Sequence, residues 1–347
     1  MNSNFWRGKR VFLTGHTGFK GGWLSLWLQS LGAEVHGFAL PPPTKPNLFV
    51  VASVAQGMAS SEIADIRDAS KLSASMKAAR PEIVFHLAAQ PLVSYSYSQP
   101  IETYAVNVMG TVHLLEAVRA TPDIKAVINV TTDKCYENRE WVWGYRENEA
   151  MGGHDPYSSS KGCAELVTAA YRRSFFESAG IALASARAGN VIGGGDWAEN
   201  RLLPDYLRAM DSSKVLTIRS PSSIRPWQYV LEPLSGYLML AEQLYTNGSK
   251  YAEAWNFGPV DEDLRSVQWI IECLAEMRTN VIWRYDETLK PHEALTLKLD
   301  SSKARNQLKW QSRSRLQGAL RKTLDWHQAW RNAENMRTIT LQQIARY

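Results

Sequence analysis

The chain has 347 residues, 45% of them hydrophobic, with 39 Lys and Arg against 34 Asp and Glu for a net charge of +5. That length suits one large domain or two packed lobes with an ample core. The mild positive excess, without any block of Lys or Arg, suits a small anionic molecule and argues against nucleic acid as a partner.

Three cysteines, Cys135, Cys163 and Cys273, are an odd number without metal-type spacing, so no metal site is expected and a reducing, cytoplasmic compartment fits. The first ten residues carry no apolar run after their charges and do not read as a signal peptide. No stretch approaches the about 18 apolar residues of a membrane span. The 13 Trp and 14 Tyr read as core and interface packing.

In chain order, short apolar runs alternate with helical patterns. Residues 10–14 are expected as the first strand and 18–31 as the first helix, where Trp23, Trp27 and Leu31 recur at i, i+4 and i+8 beside Leu24 and Leu28. A second strand is expected at 34–39, followed by a rigid proline loop at 41–46. A helix at 69–79, a strand at 83–87, a helix at 103–120, a strand at 126–131, a helix at 157–178 and a strand at 181–188 follow. This alternation predicts an α/β protein with a Rossmann-type doubly wound parallel sheet. The pattern changes at Gly189, where GNVIGGGDW opens a stretch of shorter elements richer in Arg, Pro and Trp. The expected division is therefore a dinucleotide-binding domain over 1–190 and a smaller α/β substrate lobe over 191–347. A segment at about 230–250, with a helix at 233–244, is expected to pack back on the first.

Three motifs carry chemistry. Gly15-His16-Thr17-Gly18-Phe19-Lys20-Gly21 lies between the first strand and the first helix, where glycines three apart let the backbone approach a pyrophosphate at the helix N-terminus. The second strand ends without an acid, so this position does not separate NAD from NADP, while Asp65-Ile66 falls at a spacing suited to an adenine contact. Tyr157 and Lys161 share one helix face. A cation there favours the phenolate, lowers the Tyr pKa from about 10, and makes Tyr157 a base for a hydroxyl proton. Finally, Val130-Thr131-Thr132-Asp133-Lys134 sets an acid and a base side by side at the end of an apolar strand.

GHTGFKG, HLAAQ at 86–90, Asn107 in YAVNVMGT, YSSSK at 157–161 and the closing LDSSKA at 299–304 together resemble the extended short-chain dehydrogenase/reductase family over nearly the whole chain. Lys20 stands where that family carries an apolar residue. The resemblance implies NAD on the larger lobe, held by Gly15, His16, Thr17, Gly18, Phe19, Lys20, Gly21, Asp65, Ile66, Leu87, Ala88, Ala89, Asn107, Tyr157 and Lys161. It also implies a homodimer, or a tetramer built from it, through helices near 103–120 and 157–178. TTDKCYEN, GHTGFKGGWL, GNVIGGGDW and Arg225-Pro226-Trp227 further resemble the CDP-hexose branch of the nucleotide-sugar 4,6-dehydratases. Epimerases lack the Asp-Lys pair, and the dTDP branch has Asp-Glu there.

That branch implies CDP-D-glucose as substrate and a 4-keto-6-deoxy product, in deoxysugar biosynthesis for lipopolysaccharide O-antigen. Its implied steps are C4 oxidation with Tyr157 taking the O4 proton and Thr132 orienting O4, elimination of water across C5 and C6, and return of the hydride to C6. Asp133 is the implied acid of the elimination and Lys134 its base. Gln90, Ser94, Asn190, Arg201, Arg225 and His292 are the substrate-binding candidates. A nucleotide-sugar 4-epimerase, which needs Tyr157, Lys161 and NAD but no elimination pair, and a non-catalytic dinucleotide-sensing protein are the competing readings.

Overall fold

The computed structural model describes residues 3–277, 281–286 and 296–347. Seven strands form one parallel sheet: β1 (Arg10–Thr14), β2 (Glu34–Ala39), β3 (Ser60–Ile63), β4 (Ile83–His86), β5 (Ala126–Val130), β6 (Ala182–Ala188) and β7 (Ala254–Phe257), in the order β7-β6-β5-β4-β1-β2-β3. The order reverses between β1 and β4, and the crevice at the carboxyl ends of those strands is where open α/β sheets bind ligands.

Every residue of β4, β5 and β6 is buried, because helices cover both faces. Alternate side chains feed two cores. Val11, Leu13, Ile83, Phe85 and Ile128 join Trp23, Trp27 and Leu238 on one side. Phe12, Val84, Val127 and Leu183 join Leu72, Met76, Leu114 and Val118 on the other. Edge strand β3, with the polar sequence SSEI, lacks the apolar run that marks the others.

After a single helical turn at Ser3–Trp6, helix α1 (Phe19–Ser30) buries Trp23, Trp27 and their neighbours, and α2 spans Ala69–Ala79. The helix expected at 103–120 is interrupted: Pro100–Tyr104 leads into a π-turn at Ala105–Met109, and α3 (Gly110–Arg119) follows. The widened turn directs Asn107 toward the neighbouring helix; such turns occur often at functional sites. That neighbour, α4 (Pro156–Tyr171), starts with Asp155 accepting from the Ser158 N–H at 2.9 Å and with Pro156 in its first turn.

Beyond residue 190 come α5 (Leu202–Ser212), α6 (Leu231–Asn247), α7 (Val267–Met277), α8 (Leu316–Arg331) and α9 (Met336–Ala345), with three short two-stranded pairings between them. Both α6 and β7 belong with the sheet, since α6 packs on β5 and β6 and β7 pairs with β6. The chain thus returns to the large layer through 254–257, further along than the segment expected to do so. The triple glycine of GNVIGGGDW is threaded under aromatic rings: Trp23 Nε1 donates to Gly194 O at 2.9 Å, and a Cβ on Gly194 would meet Trp326 Cγ at 2.1 Å. This packing fixes the loop that carries Asp196.

Candidate active site

The glycine turn leaves β1 at the switch point. Gly15 has φ +78°, and a Cβ there would come 2.7 Å from Ala88 N, so only glycine fits. A Cβ on Gly21 would lie 2.0 Å from Gly15 O. Helix α1 opens at Gly18 with no side-chain cap, so its first N–H groups face the open end of the turn. A diphosphate fits this bare, positively polarised backbone. The half-buried Leu87, Ala88 and Ala89 are held beside it by Thr14, whose hydroxyl oxygen accepts from the N–H of Leu87 and of Ala88, both at 3.1 Å.

Not every residue of the expected cofactor set turns toward this turn's mouth. His16 is buried, with Nε2 at 2.8 Å from Ser61 Oγ and its ring against Phe49; burial pulls its pKa down to about 4, so it is a neutral wall near Gly37. Thr17 donates to Leu40 O at 2.8 Å. Phe19 packs against the core and lies next to Gly193. Asp65 is paired with Arg67, Oδ2 to Nη2 at 2.5 Å, while Ile66 is buried against Gly110. Asn107 is a buried bridge: Nδ2 donates to Ser160 Oγ at 2.9 Å and Oδ1 accepts from Gln90 N at 2.9 Å.

Lys20 turns inward. Its ammonium stands 5.7 Å from the Tyr237 ring centroid. Burial, then the charges of Lys161 and Arg201, pull its pKa down to about 7, against Asp133, which supports the charged form. The glycine-turn lysine therefore shares one electrostatic neighbourhood with Lys161, Arg201 and Asp133.

Strand β5 ends at Val130, and Thr132 caps a single tight turn, Asp133–Cys135. Asp133 is 1% exposed. Its Oδ1 accepts from the Thr132 hydroxyl at 2.9 Å and faces Lys134 Nζ at 3.6 Å, while Oδ2 is buried with no partner among the described residues. Leaving such an oxygen unsatisfied costs about 1–3 kcal/mol, so a ligand hydroxyl there is favoured. Lys134 is the more open of the two, at 30% side-chain exposure.

Tyr157 and Lys161 are both buried on the face of α4 that meets this turn. The expectation of a lowered Tyr157 pKa needs correction. Burial dominates and pushes the phenol up to about 12; the Thr132 hydroxyl and Arg201 favour the phenolate, and Asp133 opposes it. Lys161 is not directed at the phenol: its ammonium lies 3.4 Å from Val130 O, and burial draws it down to about 8 although Glu165 and Cys135 support its charge. The cation whose charge favours the phenolate is Arg201, held by Asp196 at 3.0 Å.

The substrate candidates divide. Asn190 is half-buried, with Oδ1 unmatched among the described residues. Buried Arg225 lies in the strand Ile224–Pro226, with Nη1 donating to Ile224 O at 3.0 Å. Gln90 does not offer its amide to a ligand: Nε2 donates to Leu92 O and Thr103 Oγ1, and Oε1 accepts from Leu92 N at 2.6 Å. Ser94 is exposed on the short helix Val93–Ser98, and His292 lies outside the described residues. Among the described residues no group of three His, Cys, Asp or Glu is placed to hold a metal ion.

Sequence reasoning missed Asp155, Asp196, Glu165 and Arg187. Asp-Pro ahead of Tyr157 is a helix-start signature that was there to read, and Glu165 lies on the Tyr157–Lys161 face at the next i+4 step. Asp196 and Arg187 acquire meaning only through distant partners.

The sequence profile of the GDP-mannose 4,6 dehydratase family matches residues 12–323. A CDP-glucose 4,6-dehydratase of Salmonella typhimurium is 56% identical, over 100% of this chain and 98% of the relative. Among solved structures, a dTDP-glucose 4,6-dehydratase from Bacillus anthracis in complex with NAD superposes with TM-score 0.78 at 21% identity, over 95% of this chain and 100% of that one. A UDP-glucose 4-epimerase from Thermotoga maritima with UDP-glucose does so with TM-score 0.79 at 22% identity, over 93% and 98%. Dehydratase and epimerase share this fold, so the fold alone does not separate the two chemistries.

Proposed function

The chain belongs to the GDP-mannose 4,6-dehydratase family, and from that premise we propose that it converts CDP-D-glucose to CDP-4-keto-6-deoxy-D-glucose and water, with NAD as cofactor. The observation that carries this reading is the Asp133–Lys134 pair, set beside Tyr157 with one Asp133 oxygen buried and unmatched. The 56% identity over full length to a CDP-glucose 4,6-dehydratase supports the choice of reaction and of nucleotide.

Gly15–Gly21, Leu87–Ala89 and the inner face of α4 would hold the dinucleotide, which when bound supplies a hydride acceptor and donor. Thr132 and Tyr157 address O4 of the sugar: the threonine hydroxyl orients it and the phenol oxygen takes its proton. The resulting C4 ketone makes the C5 proton acidic. Lys134 takes that proton, while Asp133 Oδ2 meets the C6 hydroxyl and protonates it as it leaves; once C6 has received the hydride, Lys134 returns a proton to C5. The two groups, 3.6 Å apart, act as one proton-exchanging unit. Asn190, Arg201 and Arg225 are the groups proposed for the diphosphate and nucleotide, Arg201 doubling as a cation beside Tyr157. Assaying CDP-, dTDP-, GDP- and UDP-glucose side by side tests the nucleotide: turnover of CDP-glucose well above the others is expected, and equal turnover of all four contradicts it.

The two ionisations predict a pH profile. With Lys161 at about 8 and Tyr157 at about 12 in the free protein, the first proton to leave the pair as pH rises leaves near 8. The active form, phenolate with ammonium, has lost one proton in total, so kcat/KM climbs with pH and levels near 8. In Lys161→Met only the phenol remains to titrate. Its profile is expected to keep rising past pH 8 without levelling, and a wild-type-shaped profile for the variant contradicts a part for Lys161 in the titration.

We also propose a homodimer. Ile101 is 85% exposed and Leu166 61%, and Tyr104, Met109 and Phe175 add exposed apolar surface on the same two helical segments. A second copy that buries these residues removes that surface from water. Ile101→Arg combined with Leu166→Arg is expected to convert a dimer to a monomer in sedimentation velocity; an unchanged sedimentation coefficient contradicts the interface. The three cysteines are unpaired, in keeping with a cytoplasmic location. Among the described residues no helix is long and apolar enough to cross a membrane.

A further inference from the structure

Directly behind the reacting groups lies an ion pair sealed from solvent. Glu165 and Arg187 meet at 2.8 Å, each side chain 4% exposed. Glu165 continues the α4 face of Tyr157 and Lys161, one step of four residues further on. Its Oε1 accepts from the Thr131 hydroxyl at 2.5 Å, and its Oε2 accepts from Ser185 Oγ at 2.6 Å as well as from Arg187. From the other end of the pair, Arg187 Nη1 donates to the Tyr136 hydroxyl at 2.6 Å and to Glu147 O at 3.0 Å, and Tyr136 donates in turn to Asn256 Oδ1 at 2.8 Å.

Thr131 and Tyr136 bracket the segment Thr132–Cys135. The turn that carries Asp133 and Lys134 is thus pinned at both ends by one buried pair, and that pair is rooted in the helix of Tyr157 and Lys161. A buried ion pair is a poor device for stability alone, since an apolar replacement of equal volume is often neutral or better. Its geometry supplies another role. We infer that Glu165 and Arg187 are positioning residues, which hold the Asp133–Lys134 turn against the Tyr157–Lys161 face so that elimination at C5 and C6 follows oxidation at C4 on one bound sugar.

The inference rests on the dehydratase reading above. It predicts an unequal loss, because the oxidising half has fastenings of its own. Asp155 caps α4, Ser160 is bonded to Asn107, and Lys161 to Val130 O. The elimination turn has backbone bonds at its ends, Thr131 N to Ala186 O and Gly152 N to Cys135 O, both at 2.9 Å, but the side chains that flank it, Thr131 and Tyr136, both run to the pair.

The test separates the two steps in Glu165→Gln, Arg187→Met and Arg187→Lys, following nicotinamide reduction by rapid-scan absorbance and 6-deoxy product by NMR. Glu165→Gln and Arg187→Met are expected to lower product formation about 10²-fold, the cost of a misplacement near 1 Å, and to slow reduction far less, Glu165→Gln more than Arg187→Met because Glu165 also supports the Lys161 charge, so that reduced cofactor accumulates. Arg187→Lys should recover part of the product rate. The double variant should be no worse than either single one, because the two residues act as a unit. Loss of both steps in proportion, following a fall in Tm, overturns the inference, as does unchanged product formation. If a variant fails to fold, the milder Arg187→Lys decides by the same ratio of steps. A wild-type protein that makes no 6-deoxy product overturns the dehydratase reading itself, and the inference with it.

Discussion

Lys134→Ala yields a protein that oxidises C4 of CDP-glucose and goes no further. Tyr157, Lys161 and Thr132 are untouched by the change, so the O4 proton and the C4 hydride still leave, and reduced cofactor builds up to the concentration of active sites. Elimination then lacks the group proposed to take the C5 proton, and product formation falls about 10²–10⁴-fold, the usual worth of a positioned general base. Fold integrity is not at stake, because Lys134 is the partly open member of the pair, whereas Asp133 is sealed behind it. Rapid-scan absorbance of the nicotinamide band, read beside product NMR, checks the outcome. Product at the wild-type rate would sink the assignment of Lys134, and a 4-epimer with its CH2OH intact would replace the dehydratase by an epimerase.

The second large effect is the mirror of the first. Tyr157→Phe removes the group that takes the O4 proton, so neither reduced cofactor nor product appears, and kcat/KM for every step falls about 10²–10⁴-fold. The ring stays in its buried position, 8% exposed in the parent, and substrate binding, measured by calorimetry, is expected to change little. One variant arrested with reduced cofactor and one arrested before it place the two residues on successive steps. If Tyr157→Phe reduced its cofactor at the parent rate, some other group would be the base. If the variant retained every property of the parent, a sensing role for the fold would gain.

Much of this architecture was legible before the fold was seen, for reasons that are physical. Strands β1 and β2 and helix α2 have the expected ends, because their apolar periodicity is unbroken and their boundaries are marked by turns. Thr132, Asp133, Lys134, Tyr157 and Lys161 gather at one sheet edge because doubly wound topology brings the end of β5 and the start of α4 together. What escaped was of two kinds. Edge strand β3 has no apolar run, and the π-turn at Ala105–Met109 has no turn residues to announce it. The rest depends on partners far apart in the chain.

A helix-face pairing told of Tyr157 and Lys161, yet not that Lys161 would lean to Val130 O or that burial would outweigh every nearby cation at the phenol. Gln90 has the type and place of a sugar contact, but its amide is tied to Leu92 and to Thr103 on the helical segment that follows. Lys20, a departure within the glycine turn, lies near the Tyr237 ring and feels the charges of Lys161, Arg201 and Asp133. Glu165 and Arg187 were invisible as a pair, since nothing local in α4 or β6 signals that an acid and a base will meet inside.

The most direct test of the account follows one hydrogen. CDP-glucose deuterated at C4 is turned over by the wild-type protein, and the product is read by NMR. Oxidation at C4, elimination across C5 and C6 and return of the same hydride predict a C6 methyl group that carries the deuterium. Deuterium still at C4 of a 4-epimer, or a methyl group whose third hydrogen came from solvent, would contradict it.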